Sequence, residues 1–153
     1  MSRPTEGQDA PDFTVGDVSL SALRGKPVVL YFYPKDDTPG CTTQACSFRD
    51  LKGEYDAAGA VILGVSKDDS DSHGKFTAKF GLNFPLLADT DGALCEAYGV
   101  WVEKTNYGKT YLGLERTTFL IDAEGKVAKI FPRVRVEGHI QKVLDAVKAL
   151  VGS

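Results

Sequence analysis

Only three cysteines occur in the 153-residue chain, an odd number that does not suit the disulfide framework of a secreted fold. No apolar run approaches the ~20 residues of a membrane-spanning helix, and residues 1–12 are polar, without the apolar centre of a signal peptide. These lacks lead to the expectation of a cytoplasmic protein, free of membranes, in which a disulfide is transient and catalytic. Positive charge is not in excess either. The 18 Lys and Arg are outnumbered by 21 Asp and Glu, so no broad basic field draws phosphate backbones and nucleic acid is excluded as a partner. The glycines are scattered at turns rather than gathered in a phosphate-binding loop. A zinc site fails on spacing: the gap between Cys41 and Cys46 is permissible, but no second pair follows to join Cys95 and His73. No metal and no cofactor is expected. Repeats, low-complexity segments and linkers are also missing, so residues 1–153 read as one domain, with 1–8 a loose polar end.

What is present suits a globular chain. Hydrophobic residues make up 42% and charged residues 25%, too apolar for disorder. A chain of this length buries about 70% of its unfolded surface and needs no staple. Two near-continuous apolar runs, 28–33 and 60–66, read as strands buried on both faces. Between them Ala45, Phe48, Leu51, Tyr55 and Ala58 recur at spacings of three and four, one face of a helix over 42–58. Further along, Phe76 and Phe80 mark a short helix closed by Gly81, and 84–88 is a strand led in by Pro85. The turn 89–92 caps a helix over 93–98. Residues 103–113 read as a loop or irregular hairpin. Residues 116–121 and 126–131 form a hairpin about 122–125, and Ile140, Val143, Leu144, Val147 and Leu150 stripe a final helix. Gly16-Asp17 turns a short hairpin near the start. The order, β-α-β-α-β-α-β-β-α, gives right-handed parallel crossovers followed by an antiparallel hairpin. This is an α/β fold: a mixed central sheet with helices on both faces.

The chemistry concentrates between the first strand and its helix, in Tyr31-Phe32-Tyr33-Pro34-Lys35-Asp36-Asp37-Thr38-Pro39-Gly40-Cys41. Cys41 falls where the first amides of a helix lack partners and the helix dipole is positive, surroundings that favour thiolate over thiol. Thr38 is within reach of a sulfur, and Pro34 and Pro39 fix the loop. Five residues on, Cys46 is near enough to capture an oxidised Cys41. A cysteine in a chain of this size is more often a small buried apolar residue, and Cys95 reads that way. His139 reads as a surface residue and Asp36-Asp37 as a solvated loop. Trp101, Tyr107 and Tyr111 are either pocket walls or packing residues. Arg116, by spacing alone, is an ordinary sheet arginine.

Pro34-x-x-x-Thr38-x-x-Cys41 resembles the active-site signature of the peroxiredoxins, thiol peroxidases of thioredoxin-like fold. The string 31–50 is similar to the bacterioferritin comigratory protein branch, also called peroxiredoxin Q. Tyr98-Gly99-Val100-Trp101, Tyr107-Gly108-Lys109, Arg116-Thr117-Thr118-Phe119-Leu120-Ile121-Asp122 and Ala10-Pro11-Asp12-Phe13 support it, so the resemblance spans about 10–150. It implies that Cys41 is the peroxidatic cysteine. Thr38 would hydrogen-bond to it and to the peroxide, Pro34 would shield it, and Arg116 would hold the thiolate and polarise the O–O bond. The Gly40 and Cys41 amides would donate to substrate. Cys46 would be the resolving cysteine of a one-subunit mechanism, forming a Cys41–Cys46 disulfide recycled by thioredoxin or a similar dithiol. The implied role is antioxidant defence and redox homeostasis by a monomer acting on hydrogen peroxide and organic hydroperoxides. Gln44 and Ser47 stand where glutamate and glycine are common in the branch.

Helix geometry adds a constraint. Positions five apart in a helix are rotated by ~140° and rise ~7.5 Å, whereas a disulfide needs Cα atoms within about 4.4–6.8 Å. The helix is therefore expected to be ordered when reduced and melted over 41–47 when oxidised. Two other functions share these residues: a peroxide-sensing relay that passes its disulfide to a partner protein, and a non-catalytic thioredoxin-fold binding module.

Overall fold

The structure, a computed structural model, describes residues 3–152. A small hairpin of β1 (Thr14–Val15) and β2 (Val18–Ser19) and a 3₁₀ turn lead into β3 (Val28–Phe32). There follow α1 (Pro39–Ala57), β4 (Val61–Ser66), α2 (Ser70–Phe80), β5 (Leu86–Ala88) and α3 (Ala93–Ala97). The chain continues through β6 (Trp101–Asn106), β7 (Lys109–Leu114), β8 (Thr117–Ile121), β9 (Val127–Phe131) and α4 (His139–Val151). The central sheet runs β5-β4-β3-β8-β9. β3, β4 and β5 pair in parallel, and β8 pairs antiparallel with both β3 and β9. The mixed sheet read from the sequence is the one observed.

Alternation along the strands sorts the core into two layers. Val29, Tyr31, Ile62 and Leu120 face Phe48 and Tyr55 of α1, Phe76 of α2, and Ile140, Val143, Leu144 and Val147 of α4. Leu30, Phe32, Leu63, Val65, Phe119 and Ile121 face the other way, toward Leu94 and Cys95 of α3 and Tyr98. Helices flank both faces, but unequally: three long ones on one side, one short one on the other. Glycine at position 64 is required by this packing. A Cβ there would lie 2.8 Å from Leu86 Cδ2 and 2.9 Å from the Tyr31 Cζ and hydroxyl. Tyr31 can therefore cross β4 and stack on Phe48, with ring centroids 4.6 Å apart. Tyr55 fixes the far end of α1 by donating to the Ile140 carbonyl at 2.7 Å.

Four sequence expectations are corrected. Residues 3–8 are tied down rather than loose: Arg3 pairs with Glu115 and donates to the Gly99 carbonyl, and the Gly7 amide donates to Val127. Met1 and Ser2 lie outside the described residues. The segment 103–113 is a regular ladder, β6 on β7, paired from Trp101 with Leu114 to Asn106 with Lys109. Its charged and polar side chains hide the strand pattern because both faces are largely wet. Asp36 is buried, not solvated, because Tyr33, Ser72 and His73 all hydrogen-bond to its carboxylate. His139 is buried too, its Nε2 2.9 Å from Thr118 Oγ1 and its ring edge-on to Phe131.

Candidate active site

Cys41 is the third residue of α1. Thr38, in extended conformation, precedes the helix, and Pro39 begins it, where a missing N–H costs nothing and the fixed φ already suits a helix. The first helical hydrogen bond runs from the Thr42 N–H to the Thr38 carbonyl, at 2.8 Å. The amides of Gly40 and Cys41 precede it, so their dipoles point toward the loop. The Thr38 hydroxyl donates to the Lys35 carbonyl at 2.9 Å. Pro34 is exposed.

Arg116 reaches this helix start from the junction of β7 and β8. Its own carbonyl accepts from the Val134 N–H at 2.8 Å, which fixes the backbone from which it extends. The guanidinium is a two-pronged fork: Nη1 donates to Gln44 Oε1 at 2.6 Å and Nη2 to Cys41 Sγ at 3.3 Å. Cys41 and Gln44, three apart, sit on the same side of α1 and receive the two prongs together. A small residue at 40 keeps the approach open, since a Cβ there would meet Nη2 at 3.2 Å. Cys41 is 2% exposed; it is buried, yet against a cation rather than in an apolar interior. Among the described residues two buried polar atoms, Tyr31 Oη and Gln44 Nε2, have no hydrogen-bond partner. Burial, and then the nearness of Cys41 and Asp36, push the Tyr31 phenol up, so it stays neutral beside the sulfur.

Cys46 lies further along the same unbroken helix, half-buried, and both thiols are free. Cys95 does not join them. It sits on α3 in the layer across the sheet from Cys41. Burial, and then its hydrogen bond to Asp89, push its thiol well up and leave it an inert neutral group. Trp101 lies under the Lys67 ammonium, 4.0 Å from the ring centroid, while Tyr107 and Tyr111 are exposed on the β6–β7 hairpin.

Two features around the site escaped sequence reasoning. One is the buried cluster of Asp36, Tyr33, Ser72 and His73. The other is His139, whose imidazole is pushed down to about 4, chiefly by burial and then by Lys142 and Arg116. A signal existed for both histidines. His73 is three residues before Phe76, and His139 is four before Val143, so each falls on the apolar stripe of its helix.

Comparison with known proteins places this geometry among relatives. The model of the AhpC/TSA family matches residues 6–130. A Coxiella burnetii protein named putative peroxiredoxin bcp is 52% identical over 143 residues, covering 90% of this chain and 95% of its own. Peroxiredoxin Bcp of Bacillus subtilis is 50% identical over 147 residues, covering 93% and 94%. Among solved structures, Xanthomonas campestris peroxiredoxin Q superposes with a TM-score of 0.89 at 45% identity, over 95% of this chain and 98% of that one. A second structure, of the X. campestris bacterioferritin comigratory protein, was determined as a trapped intermediate and ligand complex bearing on alkyl peroxide reduction. It matches with a TM-score of 0.89 at 44% identity, over 96% and 99%.

Proposed function

The chain belongs to the AhpC/TSA family as a peroxiredoxin, a thiol peroxidase, and from that premise we propose that it reduces hydrogen peroxide and alkyl hydroperoxides through Cys41, with Cys46 as the resolving thiol. The observation that carries this reading is the Arg116 fork, which brings a permanent cation to Cys41 Sγ at the start of a helix. Attack on a peroxide needs an electron-rich sulfur and stabilisation of the charge that grows on the departing oxygen. A guanidinium already at the sulfur is placed to do both, since one donor can hold the sulfur while another meets the peroxide.

In the first step a sulfur lone pair attacks one peroxide oxygen. The O–O bond breaks, the bonding pair leaves with the second oxygen, and that oxygen takes a proton to become water or an alcohol. Cys41 is left as a sulfenic acid. In the second step the Cys46 thiol attacks the Cys41 sulfur, the S–O bond breaks, and water leaves as the disulfide forms. In the third, a dithiol such as thioredoxin reduces the disulfide by exchange and restores both thiols. Pro34 and Thr38, on the loop that leads into the helix of Cys41, would shield the sulfur and meet the peroxide, and the unpaired Gly40 and Cys41 amides would donate to it. The Thr38 hydroxyl, now on Lys35, would turn toward peroxide when it binds. Both cysteines lie on one chain, so the cycle needs no second subunit and suits a monomer. The odd count of three cysteines suits a reducing compartment, the cytoplasm, as its place of action.

Peroxide-dependent NADPH oxidation, coupled through thioredoxin and thioredoxin reductase, tests the cycle. Cys41→Ser is expected to abolish turnover. Cys46→Ser is expected to form the sulfenic acid but not to recycle. Turnover surviving the first change, or unaffected by the second, contradicts these roles.

A further inference from the structure

The buried anchor of the loop 34–38 between β3 and the Cys41 helix is Asp36. Its Oδ1 accepts from the Tyr33 hydroxyl at 2.6 Å, and its Oδ2 accepts from the Ser72 hydroxyl at 2.8 Å and faces His73 Nδ1 at 2.6 Å. Its amide donates to Asp68 at 2.8 Å. The other ring nitrogen of His73, Nε2, lies 3.0 Å from the Leu87 carbonyl. That carbonyl can only accept. The Asp36 carboxylate already accepts from two hydroxyls, so it too is an acceptor; burial pushes it up, but the His73 hydrogen bond, then those of Tyr33 and Ser72, hold it below its ordinary value. Each ring nitrogen thus needs a proton, and the ring satisfies both neighbours only as an imidazolium. Burial opposes that charge, but the Asp36 hydrogen bond and charge, the Leu87 carbonyl and Asp68 outweigh it and raise the group above its ordinary 6.5.

We propose that His73 is a positioning residue of the peroxidase: as an imidazolium bridging Asp36 and the Leu87 carbonyl, it clamps the loop 34–38 onto α2 and β5 and restrains the first turn of α1 from opening. The proposal deepens the reading above and rests on it for the role of Cys46. Cys41 and Cys46 share an intact helix, so their bond requires that turn to unwind. The residue next to the clamp, Asp37, is held at φ 56°, a left-handed conformation costly for a residue with a Cβ. It lies between the Asp36 anchor and the helix cap Thr38, and its own carboxylate pairs with Lys79. Releasing Asp36 lets Asp37 relax and shifts the cap from which α1 starts. The other charges around this corner are Asp69, Asp71, Lys75 and Lys79, with Lys79 paired to Asp37 at 2.8 Å. They edge a solvent-open cleft, where screening weakens them relative to the buried pair.

The test uses the reduced full-length protein. In the wild type at pH 7, ¹⁵N NMR of the His73 ring should show both nitrogens protonated. In His73→Gln, amides of 36–43 should exchange faster, and the conversion of sulfenic acid to disulfide should accelerate by roughly tenfold, the effect of removing one charge-assisted hydrogen bond from the closed state. The rate at which Cys41 consumes peroxide, measured with Cys46→Ser added, should change far less. A neutral ring at pH 7 overturns the clamp, as does unaltered exchange over 36–43 or an unaltered conversion rate. The ring measurement needs no variant and holds even if His73→Gln fails to fold. Should wild type form no Cys41–Cys46 bond, the reading of Cys46 falls, while ring protonation and amide exchange still decide the clamp.

Discussion

Arg116 contributes to two quantities that one substitution disturbs together and a second substitution separates. Replacing it with methionine removes the donor to Cys41 Sγ at 3.3 Å and the donor to Gln44 Oε1 at 2.6 Å. Hydrogen bonds to charged groups contribute about 1.5–3 kcal/mol, so loss of the one to sulfur is expected to slow the reaction of Cys41 with peroxide about 10- to 140-fold. The loss at Gln44 is a separate cost. That side chain is fully buried and its Nε2 already lacks a partner. Stranding Oε1 as well costs about 1–3 kcal/mol of fold stability. Adding Gln44→Met to Arg116→Met removes the stranded amide and should return most of that stability while leaving the peroxide rate low. The rate is read with Cys46→Ser present, as mass gain by Cys41 under excess peroxide, and stability by urea unfolding. A single variant within about threefold of the parent rate, or a double variant that recovers rate along with stability, refutes the argument that Arg116 acts on the sulfur itself.

Three further outcomes follow from the same contacts. Oxidation with one equivalent of peroxide should lower far-UV helicity by about two turns as 41–47 unwinds; identical spectra in the two redox states would show that the bond forms another way. Buried neutral His139, pushed down to about 4 from 6.5, binds fewer protons folded than unfolded between those values. Melting temperature should therefore fall as pH drops from 6.5 toward 4, and His139→Gln should lose that part of the slope in a pH series. Gly64→Ala forces a Cβ to within 2.8 Å of Leu86 Cδ2 and 2.9 Å of the Tyr31 hydroxyl, a clash expected to cost about 1–3 kcal/mol in urea unfolding.

The sheet and its helices were legible because burial on both faces leaves an unbroken apolar run and burial on one leaves a period. Val28–Phe32 and Val61–Ser66 show the first, and Phe48, Tyr55, Val143 and Val147 the second. The β6–β7 hairpin was legible only as one of two alternatives, loop or irregular hairpin, because Thr105, Lys109 and Thr110 face water and carry no strand pattern. At the site, an apolar strand, a loop with Pro34, Pro39 and Gly40, and helical periodicity after Cys41 were enough to find the helix corner. The meeting of Arg116 with Cys41 spans 75 positions and was reached through family resemblance, not periodicity. Buried Asp36 and His139 were misjudged, and the buried cluster around His73 was missed, for one reason: polar residues are mostly exposed, and the partners that make their burial tolerable come from distant parts of the chain. Asp36 meets His73 across 37 positions and Thr118 meets His139 across 21.

The start of α1 is built from residues that hold a helix poorly. Gly40, Thr42 and Thr43 follow Pro39 there, the Thr38 side chain makes no cap bond, and glycine and threonine are weak helix formers. The rest of the helix is anchored by Phe48 against Tyr31 and Phe84 and by Tyr55 on the Ile140 carbonyl. What secures the first turn is tertiary: the Arg116 fork onto Cys41 and Gln44 from one side and the Asp36 anchor from the other. On the proposed cycle this division is needed. The prong on Cys41 Sγ depends on a sulfur free to accept a hydrogen bond, and oxidation to sulfenic acid places an oxygen on it. The contact that readies Cys41 for peroxide therefore weakens when peroxide has reacted, and it weakens at the turn whose opening lets Cys46 approach. A well-capped helix with alanines at 42 and 43 would keep the sulfur just as close to Arg116 but would hold the oxidised sulfur out of reach of Cys46.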